Sequence, residues 1–197
     1  TKDIVNWTDV EPVPGYNIKT TIDINMQDIV ENELNNVLTT CNADWGVAVL
    51  MEVSTGNIKA ISNLEKSPSS DEYIEGMNRA VLGYEPGSVV KTLSMMIAVE
   101  DGIVKDVDEV ITTGHGFAYA GGRPITDSHG VASMPVREVI ERSSNIGMAK
   151  IITSRYGDNP GAFYTRLKKL GFLDPMNTGI AGERPPRIDS VASNRGG

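Results

Sequence analysis

Between Tyr84 and Val99 the chain passes from a turn-forming segment, Tyr84-Glu85-Pro86-Gly87, into a run dominated by Leu93, Met95, Met96, Ile97, Ala98 and Val99. A helix that is apolar on all sides belongs inside a domain core. The spacing predicts that helix over about residues 88–100, with Gly102 as its C-cap. It opens with Ser88 and Lys91, which at i and i+3 share one helix face. In that geometry a lysine amine can take the proton of a serine hydroxyl, provided burial or a neighbouring cation keeps the amine neutral.

With 197 residues, 40% of them hydrophobic, the chain is one domain or slightly more and can bury a real core. A net charge of −8 and the lack of any Lys or Arg run argue against nucleic acid as a partner. Cys41 is the single cysteine, so no intrachain disulfide forms; it falls on the apolar side of a predicted helix and is expected to be a buried thiol. His115 and His129 have no ligand-spaced partners and read as loop residues, so neither a metal nor a cofactor is expected. No stretch approaches the roughly 18 apolar residues of a membrane span. Thr1-Lys2-Asp3 is neither a signal peptide nor an initiator start, and the expectation is a piece beginning in mid-protein.

Residues 1–15 read as a linker, and Tyr16–Ile22 has strand character. Asp23 stands as N-cap of an amphipathic helix over 24–40. Trp45–Val53 and Ile58–Ser62 form a hairpin around Ser54-Thr55-Gly56-Asn57. Residues 64–76 and 105–132 are expected to be irregular. Ser133 is placed to cap a helix with Pro135 in its first turn, running to about Arg142. Ser143-Ser144-Asn145 interrupts it; helices follow from Ile146 to Tyr156 and from Pro160 to Leu170. Strands in one part and helices in another predict an α+β domain, a helical cluster with an incomplete antiparallel sheet. Three strands are few for so many helices, which suggests that strands are missing.

Taken alone, Ser-x-x-Lys is weak, and the plainer reading makes Ser88 a favoured helix cap and Lys91 a surface lysine. Three observations favour chemistry. A lysine opening a buried helix must be paired or lose its proton. A helix N-terminus offers free N–H groups that could stabilise an oxyanion beside Ser88. The break at Ser143-Ser144-Asn145 presents a second hydroxyl and a carboxamide, although turn-favouring residues there could equally make a plain helix–helix turn.

Ser88-x-x-Lys91 followed by Ser143-x-Asn145 is the motif order of penicillin-binding proteins and serine β-lactamases. The context resembles the class B, monofunctional transpeptidases. The similar segments are Asn78-Arg79-Ala80, Tyr84-Glu85-Pro86-Gly87, Thr21-Ile22-Asp23 with Gln27, the Thr55-Gly56 hairpin, Ile146-Gly147-Met148, Gly171-Phe172, Thr178-Gly179-Ile180 and Gly182-Glu183. The resemblance covers about residues 16–188. It implies a partial penicillin-binding protein transpeptidase (β-lactamase-like) domain over 16–197, and D,D-transpeptidation of peptidoglycan stem peptides through a serine acyl-enzyme. By motif position Ser88 would be the nucleophile and half of the oxyanion hole, and Lys91 the acylation base. Ser143 would relay a proton to the leaving nitrogen; Asn145 would bind the substrate amide and help hold Lys91. β-Lactams would acylate the same serine. The resemblance further implies partner cell-wall synthesis proteins, including a glycosyltransferase, an extracytoplasmic location, and a parent protein with an N-terminal membrane anchor.

One departure stands out. The family's third motif, Lys-[Ser/Thr]-Gly, does not occur: Lys91-Thr92 continues to Leu93 and Lys19-Thr20 to Thr21. The expectation is a domain lacking its last strands and final helix, inactive or weakly acylated as a fragment. Alternatives are a β-lactamase or β-lactam sensor, disfavoured because no Glu-x-x-Leu-Asn follows Asn145, and a non-catalytic scaffold domain, disfavoured by two intact motifs. A Gly-x-Ser-x-Gly elbow around Ser88 is absent, against a Ser-His-Asp hydrolase.

Overall fold

A computed structural model describes residues 13–114 and 124–188. The chain divides into two compact units, Thr1–Ala80 and Val81–Gly197. His115 lies outside the described residues.

The first unit is one helix against a small sheet. Helix α1, Ile24–Cys41, starts where the Asp23 carboxylate accepts the N–H groups of Asn25 (3.0 Å) and Met26 (3.1 Å), which lack intrahelical acceptors. Asp23→Ala should therefore cost about 1 kcal/mol, read as a shift of the denaturant midpoint. Only part of the helix's apolar surface is covered. Leu34 and Leu38 lie against Gly46, where an added Cβ would come within 2.8 Å of Leu38 and 3.0 Å of Leu34. Met26, Ile29 and Val37 remain exposed. Cys41 shares the face of Leu34 and Leu38 by spacing, but it is the last residue of α1 and is exposed rather than buried.

Strands β1 (Trp45–Met51), β2 (Ile58–Lys66) and β3 (Tyr73–Glu75) form an antiparallel sheet in the order β1-β2-β3. Trp45 pairs with Glu65 and Val49 with Ile61, and a bulge falls between Leu50 and Met51. Ala60, Ser62 and Leu64 alternate into the interior. Two expectations fail here. The polar segment 64–76 contains the end of β2 and all of β3; Lys66 and Glu65 are partly buried ladder residues, and the Tyr73 hydroxyl bonds the carbonyl oxygens of Leu38 (2.9 Å) and Ala43 (2.7 Å). Tyr16–Ile22 is not a strand: Tyr16 and Ile18 are exposed, and Thr21 reaches Ile58 O through its hydroxyl (2.6 Å) instead of a backbone ladder. Gln27 then takes both backbone groups of Ile61, Nε2 donating to its O (3.0 Å) and Oε1 accepting its N–H (2.8 Å). A side-chain amide thus satisfies the β2 edge where β3 does not reach.

The second unit carries the helical cluster. A 3-10 turn, Gly87–Val89, leads into α2 (Val90–Glu100). Strands β4 (Val110–Thr112) and β5 (Ser133–Pro135) pair antiparallel, followed by α3 (Val136–Glu141), α4 (Asn145–Tyr156) and α5 (Pro160–Lys169). The β4–β5 ribbon lies in a region expected to be irregular, apart from a Ser133 helix cap. Ser133 instead pairs with Thr112, and α3 starts after Pro135 with no side-chain cap. The core joins Ala98 of α2, Val139 of α3 and Met148 and Ile151 of α4. Ile97, Tyr156 and Leu167 form a second cluster. Helix α2 is not buried on all sides: Ile97 and Ala98 are fully enclosed, whereas Val90, Met96 and Val99 are exposed. Its C-terminal end is tied to α4 and α5 by Tyr156, whose hydroxyl donates to Asp101, and by Arg166, which bonds Asp101 (3.0 Å) and Glu100 (2.6 Å).

Candidate active site

Gly87 has φ +56°, a left-handed conformation that glycine adopts without penalty and that turns the chain sharply after Pro86. The turn delivers Ser88 exposed, in the first turn of the helical segment, where backbone N–H groups lack intrahelical acceptors. Lys91 points inward, only 9% exposed. Its Nζ donates to Ser88 Oγ (3.2 Å), Ser143 Oγ (3.0 Å) and Ser143 O (2.6 Å). Two serines 55 positions apart therefore meet on one amine.

Ser143 reaches that position because the chain reverses between α3 and α4. Its φ of +52° is uncommon for a residue with a side chain, and such positions persist when the surroundings fix them. Here its N–H bonds Ile140 O (3.0 Å) and the next N–H, of Ser144, bonds Val139 O (2.9 Å). Ser144 is buried and caps α4, accepting from Gly147 N at 2.9 Å. Its hydroxyl donates to Asp127 (2.6 Å). The same carboxylate accepts the backbone N–H groups of Asn145 (2.6 Å) and Ile146 (3.1 Å). Asn145 is exposed; its amide donates to Thr126 O (3.0 Å), and no hydrogen bond joins it to Lys91.

Burial pushes the Lys91 ammonium below its ordinary pKa, because the charged form loses water; the Asp127 charge opposes this in part. Burial pushes the Asp127 carboxyl up, but the Ser144 hydroxyl, the N–H groups of Ile146 and Asn145, and the Lys91 charge together hold it below the usual carboxylate range. The site thus holds a lysine inclined to lose its proton, within reach of two hydroxyls.

Residues 46–191 match the penicillin binding protein transpeptidase domain. The chain belongs to this family. It is 32% identical over 173 residues to the peptidoglycan D,D-transpeptidase FtsI of Buchnera aphidicola, covering 85% of this chain and 29% of that protein. It is 30% identical over 178 residues to FtsI of Escherichia coli K12, covering 86% and 29%. The chain therefore spans under a third of the length of these relatives. Among solved structures it resembles a peptidoglycan glycosyltransferase from Burkholderia ambifaria (TM-score 0.73, 28% identity, 89% of this chain and 52% of the other). It also resembles the TP domain of Burkholderia pseudomallei penicillin-binding protein 3 (TM-score 0.71, 28% identity, 89% and 49%). The α+β class expected from the sequence agrees with these transpeptidase folds.

Of the four predicted site residues, the fold joins Ser88, Lys91 and Ser143 by direct hydrogen bonds and sets Asn145 beside them on the first turn of α4. Reasoning from the sequence missed Asp127, which acts across 17 to 19 positions and has no local signature. It also missed Ser144 as the capping member of the Ser-Ser pair. A helix restarting at residue 145 did offer that signal, since Ser is a favoured N-cap.

Proposed function

We propose that the protein is a serine D,D-transpeptidase of peptidoglycan synthesis, with Ser88 as nucleophile. The observation that carries this reading is the single amine, Lys91 Nζ, bonded at once to Ser88 Oγ and Ser143 Oγ. Neutral Lys91 takes the Ser88 proton as Oγ attacks the carbonyl between two D-alanines of a stem peptide. The tetrahedral oxyanion is met by the Ser88 N–H. The C–N bond breaks, the proton held by Lys91 passes through Ser143 to the departing D-Ala nitrogen, and an acyl-Ser88 ester remains. An amine of a neighbouring stem attacks that ester, forming the cross-link and returning Ser88 to its hydroxyl. Asn145 binds the substrate amide. A β-lactam enters the same first step and leaves a stable ester.

Residues 16–197 form a partial transpeptidase domain, with 1–15 as its entry linker; the family match over residues 46–191 falls inside it. The substrate places the reaction on the extracytoplasmic side of the membrane, with the parent protein anchored there and working beside a glycosyltransferase. Among the described residues no helix is long and apolar enough to cross a membrane.

The test is adduct mapping. The full protein is treated with a fluorescent penicillin and digested, and the labelled peptide is sequenced by mass spectrometry. The label is expected on the peptide containing Ser88, and a label confined to any other serine overturns the assignment.

A further inference from the structure

We propose that Asp127 is a positioning residue for acyl transfer, fixing the Ser143-Ser144-Asn145 break against Lys91 and acting on Lys91 as its counter-charge. This rests on the reading of Ser88 and Lys91 given above.

The geometry of the break carries it. Three donors converge on one carboxylate: Ser144 Oγ (2.6 Å), Asn145 N (2.6 Å) and Ile146 N (3.1 Å). The N–H groups at the start of α4 need acceptors outside the helix, and Ser144 Oγ is already accepting from Gly147. Asp127 supplies the rest. In return, Asn145 Nδ2 holds Thr126 O at 3.0 Å, so the loop around residue 127 and the break fix each other. Ser143 immediately precedes this knot, and its O and Oγ are two of the three oxygens on Lys91 Nζ. A displaced Ser144 would carry Ser143 away from the amine.

A carboxylate that gathers backbone N–H groups is not by itself functional. Glu183 takes Asn177 N (2.8 Å) and Thr178 N (2.7 Å) in the same way and simply closes a loop. Asp127 differs because the break it holds carries Ser143 to Lys91, and because its charge acts on that amine. Among the described residues it is the charged group acting on Lys91; the other groups facing the amine, Ser88 and Ser143, do not titrate near neutral pH.

The test measures the second-order rate of penicillin acylation against pH in the full protein. Asp127→Asn keeps the size and removes the charge. Its plateau rate should fall about tenfold or more, as expected when bonds to a charged group are lost. Without the negative charge Lys91 releases its proton more readily, so the ascending limb of the profile should move to lower pH. Asp127→Glu retains the charge and should leave the limb in place. Ser144→Ala removes one donor and keeps the charge; it should slow acylation without moving the limb, and it serves even if Asp127→Asn fails to fold. An unmoved limb in Asp127→Asn, or a wild-type rate in Ser144→Ala, overturns the proposal. Ser88→Ala run alongside separates the two levels: if that variant still acylates, the nucleophile is wrong and the reading itself falls.

Discussion

Covalent labelling by a fluorescent penicillin will be abolished in Ser88→Ala and slowed about 100- to 10,000-fold in Lys91→Arg, the range expected when a general base is removed. Arginine keeps the positive charge and can still reach Ser143, but it does not give up its proton and cannot accept one from Ser88. The comparison thus isolates proton transfer from charge. Lys91→Met removes both and should be as slow as Lys91→Arg. In the wild type the rate should climb with pH as Lys91 deprotonates, with a midpoint below the ordinary lysine value because burial disfavours the ammonium. Stability follows the same proton. A folded-state pKa below the unfolded value means that the unfolded chain binds more protons in between, so stability rises with pH across that window. Lys91→Met should lack this rise and should unfold no more easily than wild type at neutral pH, since an apolar side chain carries no desolvation cost. A Lys91→Met protein that acylates within a fewfold of wild type would show that another group accepts the Ser88 proton.

What could be read in the sequence was whatever is encoded locally. Asp23 before a periodic run fixes the start of α1, Thr55-Gly56 fixes the β1–β2 turn, and Pro86-Gly87 fixes the bend before Ser88. The Ser88–Lys91 pair follows from one helical turn. What could not be read depends on partners distant in sequence. Strand β3 is three residues, Tyr73-Ile74-Glu75, inside a polar segment, and they become a strand only because β2 extends to meet them. Val110–Thr112 finds Ser133–Pro135 across twenty intervening residues. Cys41 has the spacing of the buried Leu38, yet as the last residue of α1 it is exposed; a helical period marks a face but not how far along it the sheet reaches. The same holds within the site. Its hydroxyls and amine belong to short motifs, whereas the carboxylate that steadies them lies in a loop with no motif at all.

Gly147 offers a test of how tightly α3 and α4 must pack to hold the break open towards Lys91. On helix propensity alone, Gly147→Ala inside α4 should stabilise the protein by up to about 1 kcal/mol. Packing predicts the opposite sign. A Cβ at residue 147 would fall 2.7 Å from Val139 Cγ2 and 3.1 Å from Ser144 Oγ. Val139 is fully enclosed and β-branched, with little rotamer freedom to yield, and Ser144 is buried and bonded on both sides. The helix must therefore shift, at an overpacking cost of about 1–3 kcal/mol. Because the Ser144 hydroxyl is in the clash, Gly147→Ala should also slow penicillin acylation, unlike a clash buried elsewhere in the core. Urea unfolding supplies the first readout and the acylation rate the second. Val139→Ala alone opens a cavity and destabilises; combined with Gly147→Ala it removes the clashing methyl groups, so the double variant should be more stable than the sum of the two single changes predicts. If Gly147→Ala raises stability and leaves acylation unchanged, the close approach of the two helices does not constrain the site.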